Sequence, residues 1–164
     1  MQMAKKELEI SQVIKPETVD LEVNSSFNKE QLLDYMISML FNASIVNSQE
    51  EYLNSIYQRE SMGPTYMGNY IAIPHGKCKA VVKPGIAFCR SKKSIFYPTE
   101  QGGGEVKLIF MLAIPEQMSG EEYIRVLAQL ARLLVYPDFT DCLYQAKNYS
   151  EVITAIKEFE MKLE

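Results

Sequence analysis

The chain has 164 residues, 47% of them hydrophobic and 23% charged, with a formal net charge of −4, which is the makeup of a soluble globular protein long enough to bury a core without metals or disulfides. Its lysines and arginines are scattered along the sequence, which excludes the clustered basic face of a nucleic-acid binder. The longest apolar run, Leu108 to Pro115, is far short of the ~20 residues that cross a membrane, and the opening MQMAKKELEI lacks the apolar core of a signal peptide, so the expectation is one cytoplasmic domain over residues 1–164 with residues 1–5 frayed.

In chain order, Val19 to Val23 alternates apolar and acidic residues as a half-buried strand does. A helix follows, with Asn28 as its cap, Gln31 completing a capping box, and Phe27 and Leu32 as a hydrophobic staple. Leu32, Tyr35, Met36, Met39 and Leu40 repeat at helical spacing, and Leu33 and Ile37 widen the stripe. Ser48 with Glu51 opens a second helix that Gly63-Pro64 ends.

The period then changes. Tyr70 to Ile73, Gly85 to Arg90 and Val106 to Ile114 are β-branched or aromatic runs bounded by Pro and Gly, hence strands, and the last is apolar enough to be central. Gly102-Gly103-Gly104 makes the loop before it; no Gly-Lys-Ser/Thr follows, so it is no phosphate loop. Ser119 with Glu122 opens a third amphipathic helix through Tyr123, Leu127, Leu130 and Leu134, and Asp138 and Ser150 are expected to cap two more. Helices before and after a block of strands predict an α/β fold, a mixed central sheet flanked by helices on both faces as a three-layer sandwich.

Three cysteines, Cys78, Cys89 and Cys142, with no CxxC pair, suit a reducing compartment. Chemistry concentrates around the only histidine. His75 follows the short apolar run Ile71 to Ile73, between Pro74, which stops the strand ladder, and Gly76, which admits a close neighbour. Ligands gather at the carboxyl ends of strands in open α/β sheets, so an imidazole there is placed as a nucleophile or ligand. Three other readings stand beside that one: a structural histidine, a metal site needing ligands beyond Cys78, and a Cys78–His75 nucleophilic pair.

The stretch Ile71-Ala-Ile-Pro-His75-Gly76, with Gln58-Arg59-Glu60 and Thr65-Tyr-Met-Gly-Asn69 before it, resembles the enzyme IIA domains of the sugar phosphotransferase system, mannitol/fructose class. The resemblance extends through Leu108-Ile-Phe-Met-Leu-Ala-Ile-Pro115 and Leu127-Ala-Gln-Leu-Ala-Arg-Leu-Leu134. It implies a mixed sheet flanked by helices, and a phosphotransferase whose phosphorylated histidine is His75, charged by the carrier protein HPr and discharged to a IIB component of a sugar permease. The sequence itself has no P-loop, no evident metal ligands and no cofactor fingerprint, so no cofactor is expected and the phosphate donor is expected to be another protein rather than ATP. Many family members carry a second histidine at the head of the late amphipathic helix; here that position is Tyr123, which either packs on Met118 as a hydrophobic staple or donates one phenol hydrogen bond to the phosphoryl group, the latter being the expectation.

The residue chemistry agrees with that role. An imidazole of ordinary pKa ~6.5 is largely neutral at cytoplasmic pH and attacks phosphorus without a dedicated base. Phosphoryl transfer then needs positioning and donors for the phosphoryl oxygens. Arg59 is expected to supply the forked cation, its other reading being a solvated charge at the helix end, and Thr65, Asn69 and the Gly76 amide are the next candidate donors, with turn chemistry between Gly63 and Gly68 as the other reading of Thr65 and Asn69. Glu60 is expected at the surface or as a partner for Arg59. The alternative function is a regulatory IIA-like domain, nitrogen-type or attached to a regulator, whose phosphorylation controls a protein partner; a third is a binding domain whose histidine is never phosphorylated.

Overall fold

The computed structural model describes residues 8–163, so the expected fraying of residues 1–5 lies outside the described residues. The elements run α1 (Ile10–Val13), β1 (Ile14–Asp20), α2 (Lys29–Asn42), α3 (Gln49–Glu60), β2 (Tyr66–Gly68), β3 (Ile71–Ala72), β4 (His75–Cys78), β5 (Gly85–Tyr97), β6 (Gly104–Pro115), α4 (Gly120–Leu134), α5 (Pro137–Gln145) and α6 (Tyr149–Lys162). They fall into two compact units, one of residues 14–118 and one formed by the two ends of the chain. The class is α/β with a mixed sheet, as the sequence predicts.

In the larger unit the strand order is β1-β5-β6-β3-β2, with β4 also paired to β6. β5 and β6 run antiparallel, while β1 on β5 and both β3 and β4 on β6 are parallel. β6 is the central strand expected for Val106 to Ile114, and every residue from Leu108 to Pro115 is buried. Its side chains alternate between faces. Ile109, Met111 and Ala113 enter a core with Leu32, Leu33, Met36, Ile37 and Leu40 of α2 and Tyr52 and Ile56 of α3. Phe110, on the other face, stacks on Phe88 with ring centroids 4.4 Å apart.

Both helices begin where their caps predict. Asn28 and Gln31 make a reciprocal capping box, and the Ser48 hydroxyl accepts from the Glu51 amide at 3.3 Å. The Phe27 ring packs against Tyr35, 5.7 Å between centroids. The first strand is displaced from its expected place: it occupies Ile14–Asp20, and Leu21 and Glu22 form a turn. Pro16 lies inside it, which an edge strand tolerates because one side of its ladder is unpaired.

In the smaller unit, the amides of Ile10 and Ser11 donate to the Glu160 carboxylate at 2.9 and 3.2 Å, tying α1 to α6. Phe139 of α5 packs on Phe159 of α6 with centroids 5.3 Å apart. Ser119 caps α4, accepting from the Glu122 amide at 3.1 Å. The other two expected caps are corrected. Asp138 lies in the first turn of α5 behind Pro137, with Tyr136 at the cap and no side-chain cap bond; proline suits the first helical position and an acidic residue suits the positive helix end. Ser150 lies inside α6, which Asn148 caps by accepting from the Glu151 amide at 2.9 Å.

Candidate active site

Expected in a loop after the ladder ends, His75 is instead the first residue of β4, paired in register with Leu112 of β6. Pro74 has no amide to donate, but its carbonyl accepts from Leu112 N at 3.0 Å, so the ladder runs past the proline. The imidazole is 2% exposed. Its Nδ1 lies 2.7 Å from the Ile73 carbonyl oxygen. A carbonyl only accepts, so Nδ1 carries the proton and, in the neutral ring, Nε2 carries the lone pair. Burial lowers the pKa from its ordinary value, and the Arg59 charge lowers it further, against opposing contributions from the Ile73 carbonyl and Glu60. The ring is therefore neutral at physiological pH.

Gly76 follows on β4, and a Cβ there would lie 2.1 Å from the Ser55 Oγ and 3.2 Å from the Ile56 amide of α3. Only glycine permits this approach of strand to helix. Alternation along β4 sends Cys78 to the face opposite His75, where it packs on the helix-side core, so the strand separates the two members of the Cys–His pair. Among the described residues no three His, Cys, Asp or Glu side chains gather as a metal site.

Arg59 and Glu60 close α3. Arg59 is half-buried, and its Nη1 donates to the Gly63 carbonyl at 3.0 Å, capping the turn that leaves the helix. One of its five N–H donors is used there, and its charge reaches His75. Glu60 is neither a surface residue nor the partner of Arg59. Its Oε2 accepts from Lys29 Nζ at 2.8 Å, and its Oε1 accepts from the hydroxyls of Thr65 and Tyr97, each at 2.5 Å. Burial pushes this carboxyl up, but bonds from Lys29, Thr65 and Tyr97 outweigh it and hold Glu60 below the usual carboxylate range. Lys29 also donates to the Pro98 carbonyl at 2.8 Å and stands 4.3 Å from the Tyr97 ring centroid.

Thr65 is 3% exposed, and its hydroxyl proton is engaged by Glu60. Asn69 sits at an exposed turn between β2 and β3 with φ 53°, followed by Tyr70 with φ 66°. Two left-handed residues in succession give the twist of a two-residue hairpin, and this hairpin, absent from the sequence reading, is what the Thr65 to Asn69 segment builds. His75, Arg59, Thr65 and Gly76 thus share the α3 end and the adjoining strands of the larger unit, while Asn69 marks the far turn of the hairpin. Tyr123 belongs to the smaller unit, in the first turns of α4, half-buried, with its amide on the Ser119 carbonyl at 3.0 Å. Lys29 and Tyr97, which hold Glu60, carried no local signal: they lie 31 and 37 residues from it.

The family model described as "Phosphoenolpyruvate-dependent sugar phosphotransferase system, EIIA 2" matches residues 12–159. The chain is 31% identical over 153 residues to the fructose-specific EIIABC component of Bacillus subtilis, covering 93% of this chain and 24% of that protein. It is 29% identical to the fructose-specific EIIA component of Haloferax volcanii, covering 92% of this chain and 96% of that one. The chain therefore spans about a quarter of the first relative and nearly all of the second. The crystal structure of nitrogen regulatory protein IIA-Ntr from Neisseria meningitidis shares the fold with a TM-score of 0.77 at 24% identity, over 90% of this chain and 98% of that one. Enzyme IIA mannitol of Escherichia coli, solved in complex with phosphorylated enzyme IIB mannitol, shares it with a TM-score of 0.71 at 24% identity, over 89% and 99%. A match over residues 12–159, on a chain whose one histidine opens a buried strand beside an arginine, makes this protein a member of the EIIA 2 family of the phosphoenolpyruvate-dependent sugar phosphotransferase system.

Proposed function

We propose that the chain is a cytoplasmic histidine phosphocarrier in which Nε2 of His75 accepts a phosphoryl group from phospho-HPr and passes it to a IIB component. The observation that carries this reading is the tautomer: the Ile73 carbonyl holds the proton on Nδ1, which leaves the Nε2 lone pair for attack. In the forward step the Nε2–P bond forms as the donor's bond to phosphorus breaks, and the proton stays on Nδ1, where its hydrogen bond to the Ile73 carbonyl supports the charge developing on the ring. The Arg59 guanidinium faces the phosphoryl oxygens as charge shifts toward them. Asn69 and the Gly76 amide are the remaining donors proposed for these oxygens, while the one hydroxyl proton of Thr65 is given to Glu60. The IIB acceptor is supported by the name of the Bacillus relative, EIIABC, and by the complex formed by the mannitol enzyme.

The test is incubation with enzyme I, HPr and phosphoenolpyruvate, followed by mass and acid stability. One acid-labile, base-stable phosphoryl group on wild type and none on His75→Gln is the expected result. Label on His75→Gln, or none on wild type, overturns the reading.

A further inference from the structure

Glu60 is a half-buried carboxylate with three donors, and that arrangement needs a reason. Buried ion pairs are weak sources of stability, since desolvation cancels much of their attraction, and their best-attested use is to fix one geometry. The geometry fixed here leads to the histidine. Thr65 donates its hydroxyl to Glu60 Oε1, and the Thr65 carbonyl accepts from Ile73 N at 2.9 Å. The Ile73 carbonyl in turn accepts from His75 Nδ1. From the other direction, Lys29 at the start of α2 and Tyr97 at the end of β5 hold the carboxylate itself. Glu60 also pins both ends of the segment from itself to Thr65, whose middle receives the Arg59 fork at the Gly63 carbonyl.

We propose that Glu60 is the positioning residue of this site: its carboxylate, clamped between Lys29 and Tyr97, fixes Thr65 and through it the Ile73 carbonyl that sets the His75 tautomer. The proposal rests on His75 being the phosphoacceptor for its functional meaning, but its structural claim is separately readable. The low pKa of Glu60 keeps the clamp charged across the working range.

Because the chain has a single histidine, nitrogen-15 NMR reports its tautomer without ambiguity. The variants are Glu60→Gln, Thr65→Val, which keeps the shape and the Lys29–Glu60 pair but cuts the path, and Ser48→Ala, which uncaps the opposite end of α3 and weakens the fold with the clamp intact. Expected for Glu60→Gln and Thr65→Val is a mixed tautomer, with the Nε2–H form populated, and phosphorylation by phospho-HPr at least tenfold slower with little change in apparent KM. Ser48→Ala keeps the wild-type tautomer and a rate within twofold. If Glu60→Gln and Thr65→Val lose thermal stability yet keep the wild-type tautomer, as Ser48→Ala does, Glu60 is a structural ion pair and the proposal fails. Should Glu60→Gln fail to fold, Thr65→Val decides by the same readout. A wild type that takes no phosphoryl group defeats the phosphocarrier reading, while the tautomer comparison still judges Glu60.

Discussion

Arg59 has a structural duty in the turn after α3, and the proposed function gives it a chemical one. One N–H holds the Gly63 carbonyl, a bond whose net worth is about 1 kcal/mol, and under the proposed function the rest of the fork serves phosphoryl oxygens. Charge-assisted bonds of that kind contribute roughly 1.5–3 kcal/mol, one to two decades in rate. Arg59→Ala is therefore expected to slow phosphorylation by about 10- to 100-fold while lowering the unfolding free energy by about 1 kcal/mol. Arg59→Lys keeps the charge but lacks the planar fork, and should fall between the two in stopped-flow assays with phospho-HPr. A rate for Arg59→Ala within twofold of wild type would leave Arg59 only its turn-capping role.

The approach of α3 to β4 sets how the site is assembled, and it depends on two small residues. The Ser55 hydroxyl is turned onto the Tyr52 carbonyl at 2.7 Å, and the Tyr52 hydroxyl reaches the Leu112 carbonyl of β6 at 2.6 Å, so the helix is fastened directly to the central strand. A methyl at position 76 meets backbone as well as the hydroxyl, and backbone does not yield as a long side chain does. Gly76→Ala should cost about 1–3 kcal/mol, the usual range for overpacking. Ser55→Ala in the same chain removes the closest clash, at 2.1 Å, and should recover part of that loss. Urea unfolding of the two single variants and the double variant measures the coupling; strict additivity would show that the Ser55 hydroxyl is not what opposes the added methyl.

For the molecule as a whole, two depressed pKa values give its stability a direction with pH. Desolvation holds folded His75 below the ~6.5 of the unfolded chain. Between those values the unfolded state binds a proton that the native state refuses, so stability falls as pH drops from about 6.5 toward the folded value. Glu60 repeats the pattern lower down: its contribution is complete above the ordinary carboxylate pKa and is lost as pH falls through its folded value. Each proton taken up only by the unfolded chain costs at most about 1.4 kcal/mol per pH unit. Unfolding midpoints from pH 7.5 down to about 3 should decline in two stages, the second starting below the ordinary carboxylate pKa of about 4.3, and His75→Gln should flatten the upper stage alone. An unchanged upper slope in that variant would mean that the imidazole titrates normally in the folded protein.

Local signals alone determined much of this protein: Asn28, Ser48 and Ser119 at three helix starts, the continuous apolar run of β6, and the Ile71 to Gly76 motif that marks the histidine. Each works because a cap, a hydrophobic period or a tight backbone approach is decided by residues within a few positions of one another. Where a competing local signal won, the reading slipped by a few residues, as when Pro137 displaced Asp138 from the cap and Asn148 preceded Ser150. Only the tertiary structure could make His75 part of a strand, because the Leu112 that pairs with it is 37 residues distant and Pro74 reads as a stop. The same holds for Glu60, which beside Arg59 in sequence looks like its partner. The choice of Lys29 and Tyr97 instead depends on how α2, α3 and β5 pack, for a buried carboxylate takes the donors that folding brings to it.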